Sequence, residues 1–160
     1  MNEAHRKAAE MGVSTLTPHL VCKGAADAMD FYAKALAAKE LARMKGPNGG
    51  IMHGCMQING GTIMLVDANP EWGMLGPDGL GGTPVTMHLI VDDADAWQKR
   101  AIEAGATETM PVADMFWGDR YGMVKDPWGH NWAFATPQKD LNEAEILEAM
   151  KTAANEGCQT

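Results

Sequence analysis

A chain of 160 residues, 46% hydrophobic and 21% charged, is sized for one folded domain and is too apolar for disorder. Its net charge of −8 argues against nucleic acid as a partner, because phosphate backbones are met by basic patches; surplus acid serves solubility or steers a cationic ligand. No apolar run approaches the ~20 residues of a bilayer crossing. Residues 1–7 carry charges with no apolar core behind them, and Cys22, Cys55 and Cys158 form no CxxC pair, so a reducing cytoplasm without disulfides is expected.

Residues 2–11 read as a short helix stopped by Gly12. Residues 15–22 read as a strand; Pro18 makes it an edge strand or irregular at its start. In residues 24–36, Ala25, Ala28, Met29, Tyr32, Ala35 and Leu36 recur at helical spacing, which predicts an amphipathic helix. Residues 40–44 are a candidate strand, 46–50 a turn and 51–58 a strand. Asn59-Gly60 signals a hairpin, and 62–67 return. Residues 70–83, with five glycines and two prolines, form a linker of a length that often carries function.

The pattern then restarts. Residues 84–91 read as a strand. Asp92 or Asp93 caps a helix that Gly105 stops, and residues 107–110 are a short strand. A loop from Met115 leads into a strand through Met123 and Val124, the turn Asp126-Pro127-Trp128-Gly129, and a strand through Trp132, Ala133 and Phe134. This stretch holds three of the five tryptophans. Residues 140–156 predict a last helix, with Asp140 and Glu143 as a capping-box-like start and Gly157 as its stop. It covers a sheet edge or a subunit contact, or it is a loosely held terminus.

The restart has a register. His19-Leu20-Val21 and His88-Leu89-Ile90 lie 69 residues apart, as do Gly60 and Gly129, and Ile63-Met64-Leu65 and Trp132-Ala133-Phe134. Asp27-Ala28 and Asp95-Ala96 lie 68 apart. Two βαβββ modules with one indel explain these offsets.

Paired modules of this kind, the Asp30-Phe31-Tyr32 element in the first helix and the Phe116-Trp117-Gly118-Asp119-Arg120-Tyr121-Gly122 and Asp126-Pro127-Trp128-Gly129-His130-Asn131-Trp132 runs resemble the glyoxalase/bleomycin-resistance/extradiol-dioxygenase superfamily, also called vicinal oxygen chelate. The resemblance covers roughly residues 14–137. It implies an α+β fold in which two modules, about 14–69 and 84–137 around the linker, form a cupped eight-stranded mixed sheet within a single domain. It further implies a homodimer with a ligand cleft in each cup.

Enzymes of that superfamily hold a divalent ion (Zn, Ni, Mn or Fe) through His or Glu on inward strand positions. Transferred by spacing, those positions fall on Thr17, Met64, Thr86 and Ala133, none of them a good ligand for a hard ion. His19 and His88 each sit two residues further on, and residues two apart in a strand share a face. A shifted site from His19 and His88, with His53 as a third candidate, is therefore open beside the alternative that these are pocket or core histidines. His130 is expected to be structural or exposed, and His5 to lie on the surface. Cys22 and Cys55, close in sequence to His19 and His53 respectively, are candidate nucleophiles set against inert packing.

Two readings follow. In the first, Trp117, Phe116, Tyr121, Trp132, Met64, His19, His88 and linker Trp72 line a cleft for an aromatic or cationic small molecule. Asp119 supplies charge, and no cofactor is needed. In the second, the protein is a metal-dependent lyase, isomerase or dioxygenase with relocated His ligands. A weaker third makes the cleft an interface.

Overall fold

A computed structural model describes residues 2–157. The element order is α1 (Glu3–Glu10), β1 (His19–Cys22), α2 (Ala25–Ala35), β2 (Lys39–Lys45), β3 (Ile51–Ile58), β4 (Gly61–Asp67), α3 (Pro77–Leu80), β5 (Thr86–Ile90), α4 (Ala94–Ala104), β6 (Thr107–Asp114), β7 (Asp119–Lys125), β8 (Asn131–Pro137) and α5 (Glu143–Gly157). The eight expected strands are present, divided four and four, in the orders β1-β4-β3-β2 and β5-β8-β7-β6. Among the described residues no strand of one sheet pairs with the other, so β1, β2, β5 and β6 are all edges. Each sheet is mixed: its first strand runs parallel to its fourth, and the other pairs are antiparallel.

The internal repeat is visible in the pairing. His19 lies beside Met64, and His88 beside Ala133, both members shifted by 69. The helices are also in 69 register, Ala25–Ala35 against Ala94–Ala104. The 68-residue match of Asp27 with Asp95 is therefore compositional, and the offset of 68 belongs instead to the second and third strands, Lys39 with Thr107 and Gln57 with Lys125. There Gly54 faces Leu65, and Gly122, 68 residues on, faces Phe134.

Both glycines make room for the helix residue above them. A Cβ on Gly54 would lie 2.7 Å from Met29 Sδ; one on Gly122 would meet Gln98 Oε1 and lie 2.7 Å from Val112 Cγ2. Capping is repeated too. Asp67 Oδ1 accepts the Gly24 and Ala25 N–H groups, and Thr136 Oγ1, at the matching place, accepts that of Ala94.

Helices α2 and α4 pack on one face of the sheets and on each other. Helix α2 buries Ala25, Ala28, Met29, Tyr32 and Ala35; α4 buries Ala94, Gln98 and Ala101. The alanines let the two helices come close. Arg100 Nε donates to Ala35 O at the end of α2, where a cation suits the helix dipole, and its guanidinium lies 4.4 Å over the Trp97 ring.

Three of the element boundaries that differ from the sequence reading have a visible cause. β1 begins at His19, because Pro18 has no N–H and the Thr17 hydroxyl bonds Ser14 O. β6 runs to Asp114, since register shifts on an edge strand accommodate Pro111. Helix α5 starts at Glu143 under a reciprocal cap: Glu145 N donates to Asn142 Oδ1, and Asn142 N to Glu145 Oε2. The capping pair is thus Asn142 with Glu145, not Asp140 with Glu143. Among the described residues no helix is long and apolar enough to cross a membrane. Cys22 and Cys55 are free; Cys158 lies outside the described residues.

Candidate functional site

Strand parity divides each sheet into a face under the helices and a concave face turned away from them. On β8, Trp132 and Phe134 join the core with Leu65 and Leu20. The alternate positions, Ala133 and Ala135, therefore look the other way, and so do their partners His88, Met123 and Tyr121. In the first module the same reasoning puts His19, Met64 and Cys55 on the concave face.

On the second module's concave face the rings form a continuous run. His88 stacks on Tyr121 with centroids 5.9 Å apart and planes at 26°. Tyr121 meets Trp117 edge-on at 5.6 Å, and Trp117 meets Phe116 at 5.0 Å. Trp117 Nε1 donates to Asp119 Oδ2 at 3.0 Å, which fixes the indole and places a carboxylate at its edge. His88 is exposed, and the other three rings are half-buried. Burial pushes the Tyr121 phenol pKa up, so the ring stays neutral. Such a surface offers ring faces for stacking and one acceptor for a cation. Of the predicted residues, Trp117, Phe116, Tyr121, His88 and Asp119 come together here.

The others do not join them within one chain. Trp132 is 1% exposed on the helix side of β8, where its Nε1 donates to Asp126 Oδ2; its parity with Phe134 keeps it out of the cup. Trp72 stands 76% exposed on a 3₁₀ turn of the linker, with no ring partner among the described residues. His19 and Met64 belong to the first module's concave face, with half-buried His53 along β3. His5 is exposed on α1.

The turn between β7 and β8 has a different role. Asp126, 4% exposed, accepts four hydrogen bonds: the Trp128 and His130 backbone N–H groups at Oδ1, and the Tyr32 hydroxyl (2.6 Å) and Trp132 Nε1 (2.9 Å) at Oδ2. Trp128 Nε1 donates to Lys23 O, and His130 Nε2 to Val21 O at 3.3 Å. Phe31, Tyr32, Trp128 and Trp132 pack around this centre with centroids 5.3–6.1 Å apart. The turn is a latch onto β1 and α2 of the first module. Cys22 sits inside it, 3.7 Å from His130 Nε2, rather than with His19. Desolvation and the nearby Asp126 charge push its thiol up to about 12, so it is not a nucleophile at neutral pH. The sequence showed the turn but not the latch. Asp126 and Tyr32 are 94 residues apart, and no local pattern links them.

The metal positions can now be tested against their neighbours. Thr17 precedes β1, and its hydroxyl is engaged with Ser14 O and Thr62 Oγ1. The strand residue beside Met64 is His19, and the one beside Ala133 is His88. A thioether, a methyl group and two imidazoles from separate modules do not make a divalent site in one chain. Among the described residues no three His, Cys, Asp or Glu side chains converge to hold an ion.

A profile of the Glyoxalase/Bleomycin resistance protein/Dioxygenase superfamily matches residues 5–134. An uncharacterized protein of Mycobacterium tuberculosis, Rv0887c, is 49% identical over 142 residues, covering 86% of this chain and 82% of its own. Two solved structures share the fold. TnmS3, an antibiotic binding protein from a Streptomyces species, superposes with a TM-score of 0.56 at 23% identity, over 78% of this chain and 98% of its own. FosX, a fosfomycin resistance protein from Listeria monocytogenes complexed with Mn(II) and sulfate, gives 0.59 at 14% identity, over 86% and 97%. One fold thus carries a binder and a manganese complex, and the choice for this chain rests on its own residues.

Proposed function

The chain belongs to the Glyoxalase/Bleomycin resistance protein/Dioxygenase superfamily, and on that premise we propose that it is a small-molecule-binding protein that holds a flat aromatic or cationic organic compound without a metal ion. The observation that carries this reading is the run His88–Tyr121–Trp117–Phe116, ordered by stacking and by the Asp119 bond on an open concave face. In this reading a second copy supplies the opposite wall, so that His19 and Met64 of one protomer face the ring run of its partner. Stacking and desolvation provide affinity, and Asp119 favours a positive charge. The test is a titration with proflavine, a flat cation, against a neutral analogue of the same shape. Trp117→Ala should weaken both by about tenfold, and Asp119→Asn should weaken the cation more. Unchanged affinity in both variants would overturn the assignment.

One observation favours a second reading, a metal-dependent lyase, isomerase or dioxygenase. His19 and His88 occupy equivalent register positions on the two concave faces, so a dimer would present one from each copy. Metal analysis after loading with Zn, Ni, Mn and Fe separates the two. Stoichiometric metal that disappears in His88→Ala would replace the binding reading.

A further inference from the structure

A cavity of about 260 Å³ lies where β1 and β4 end, between the linker and the latch turn. Its apolar walls include Val21, Ala68, Leu75 and the half-buried Trp128 ring; Lys23 and Asp78 also line it. No residue of the concave ring run takes part.

The cavity is held in shape by close packing. A Cβ at Gly76 would come 2.5 Å from Val21 O, and one at Gly129 2.9 Å from Pro77 Cβ, so linker and turn touch through glycines. The Trp128 ring is fixed by its bond to Lys23 O at 3.0 Å. The charges are uncommitted. Neither the Lys23 ammonium nor the Asp78 carboxylate has an ion-pair partner among the described residues, and they do not pair with each other.

Size and charge together restrict the ligand. Drug-sized compounds occupy cavities from about 300 Å³ upward, so this one takes something smaller. A neutral aromatic would leave both charges unused. A simple cation or anion would satisfy one and be repelled by the other. We propose that the cavity binds a small zwitterion with an aromatic body, an aromatic α-amino acid in class. Its ring lies on Trp128, its ammonium faces Asp78 and its carboxylate faces Lys23. The protein then carries two small-molecule sites of different size.

Ligand-observed NMR with L-phenylalanine, phenethylamine and 3-phenylpropionate tests this. Lys23 and Asp78 are exposed, so their variants keep the fold. Asp78→Asn and Lys23→Gln should each weaken phenylalanine about threefold to fivefold. Phenethylamine should respond to Asp78→Asn alone, and phenylpropionate to Lys23→Gln alone. Tyr121→Ala, which alters the concave ring run, should leave all three unchanged. No phenylalanine binding up to about 10 mM, equal affinity in both charge variants and wild type, or loss in Tyr121→Ala would overturn the proposal.

Discussion

At the hairpin of module one, Asn59 and Gly60 are exposed, with φ of 45° and 83°, and a single exposed bond, from Asn59 Nδ2 to Ile90 O, ties the turn to module two. At the same place in module two, Asp126 and His130 are buried and bonded into the other module. The concave faces diverge as well: His19, His53, Cys55 and Met64 on one, a run of rings on the other. What stayed alike is the framework, namely the 69-residue register, the side-chain caps from Asp67 and Thr136, and the glycine beneath each helix. A repeated framework thus leaves its turns and its open faces free to specialise.

The largest effect should come from breaking the latch. Asp126→Ala orphans the buried Tyr32 hydroxyl and Trp132 indole and removes the acceptor for two turn N–H groups. The expected loss is about 3 kcal/mol or more in urea unfolding. Asn59→Ala in the matching hairpin should lose only about 1–2 kcal/mol, from the strain of a left-handed alanine and the loss of one exposed hydrogen bond to Ile90 O. Equal losses would mean that the two turns are equivalent after all.

The paired glycines sharpen the comparison. Gly122→Ala should destabilise by about 2 kcal/mol, and Gly54→Ala by about 1 kcal/mol. Gln98 above Gly122 is held by bonds from its Nε2 to Glu108 Oε2 and Met110 O, and cannot easily move aside. Met29 above Gly54 is a flexible thioether. Thermal melts of the two variants, side by side, would show the order. A reversed order would place the tighter helix–sheet contact in module one.

Much of this architecture was legible in the chain. Period-3.6 and period-2 patterns and turn residues marked the elements, and the His-Leu-Val and His-Leu-Ile pair exposed the repeat. Parity also put His19 with Met64's face and His88 with Ala133's. The sorting of the late tryptophans was not legible. Trp117, Trp128 and Trp132 lie within sixteen residues, yet one is on the concave face, one on the latch and one in the core. Their separation follows from cross-strand register, Tyr121 opposite Ala135 and Val124 opposite Trp132, which no local pattern carries. The place of Thr17 outside β1 was not legible for a similar reason. Spacing along the chain does not count the irregular start that Pro18 imposes on β1.

The smallest effect at neutral pH, and the most specific to the latch, concerns Cys22. Its thiol is pushed from 9.0 to about 12 by burial and by the Asp126 charge, and the Tyr32 hydroxyl beside it is raised for the same two reasons. A group whose folded pKa is raised contributes stability that is fully present below its unfolded value and is lost as pH rises through the folded one. Stability should therefore be flat from about pH 7 to 9 on account of these groups and fall between pH 9 and about 12. Urea midpoints across that range check it, and Cys22→Ala should flatten the early part of the fall. Cys55, on the concave face of β3, is raised by burial alone, so Cys55→Ala should leave more of the fall in place. If Cys55→Ala flattened the curve and Cys22→Ala did not, the alkaline limit would lie in module one's sheet, and the latch would not be where the two modules are held together at high pH.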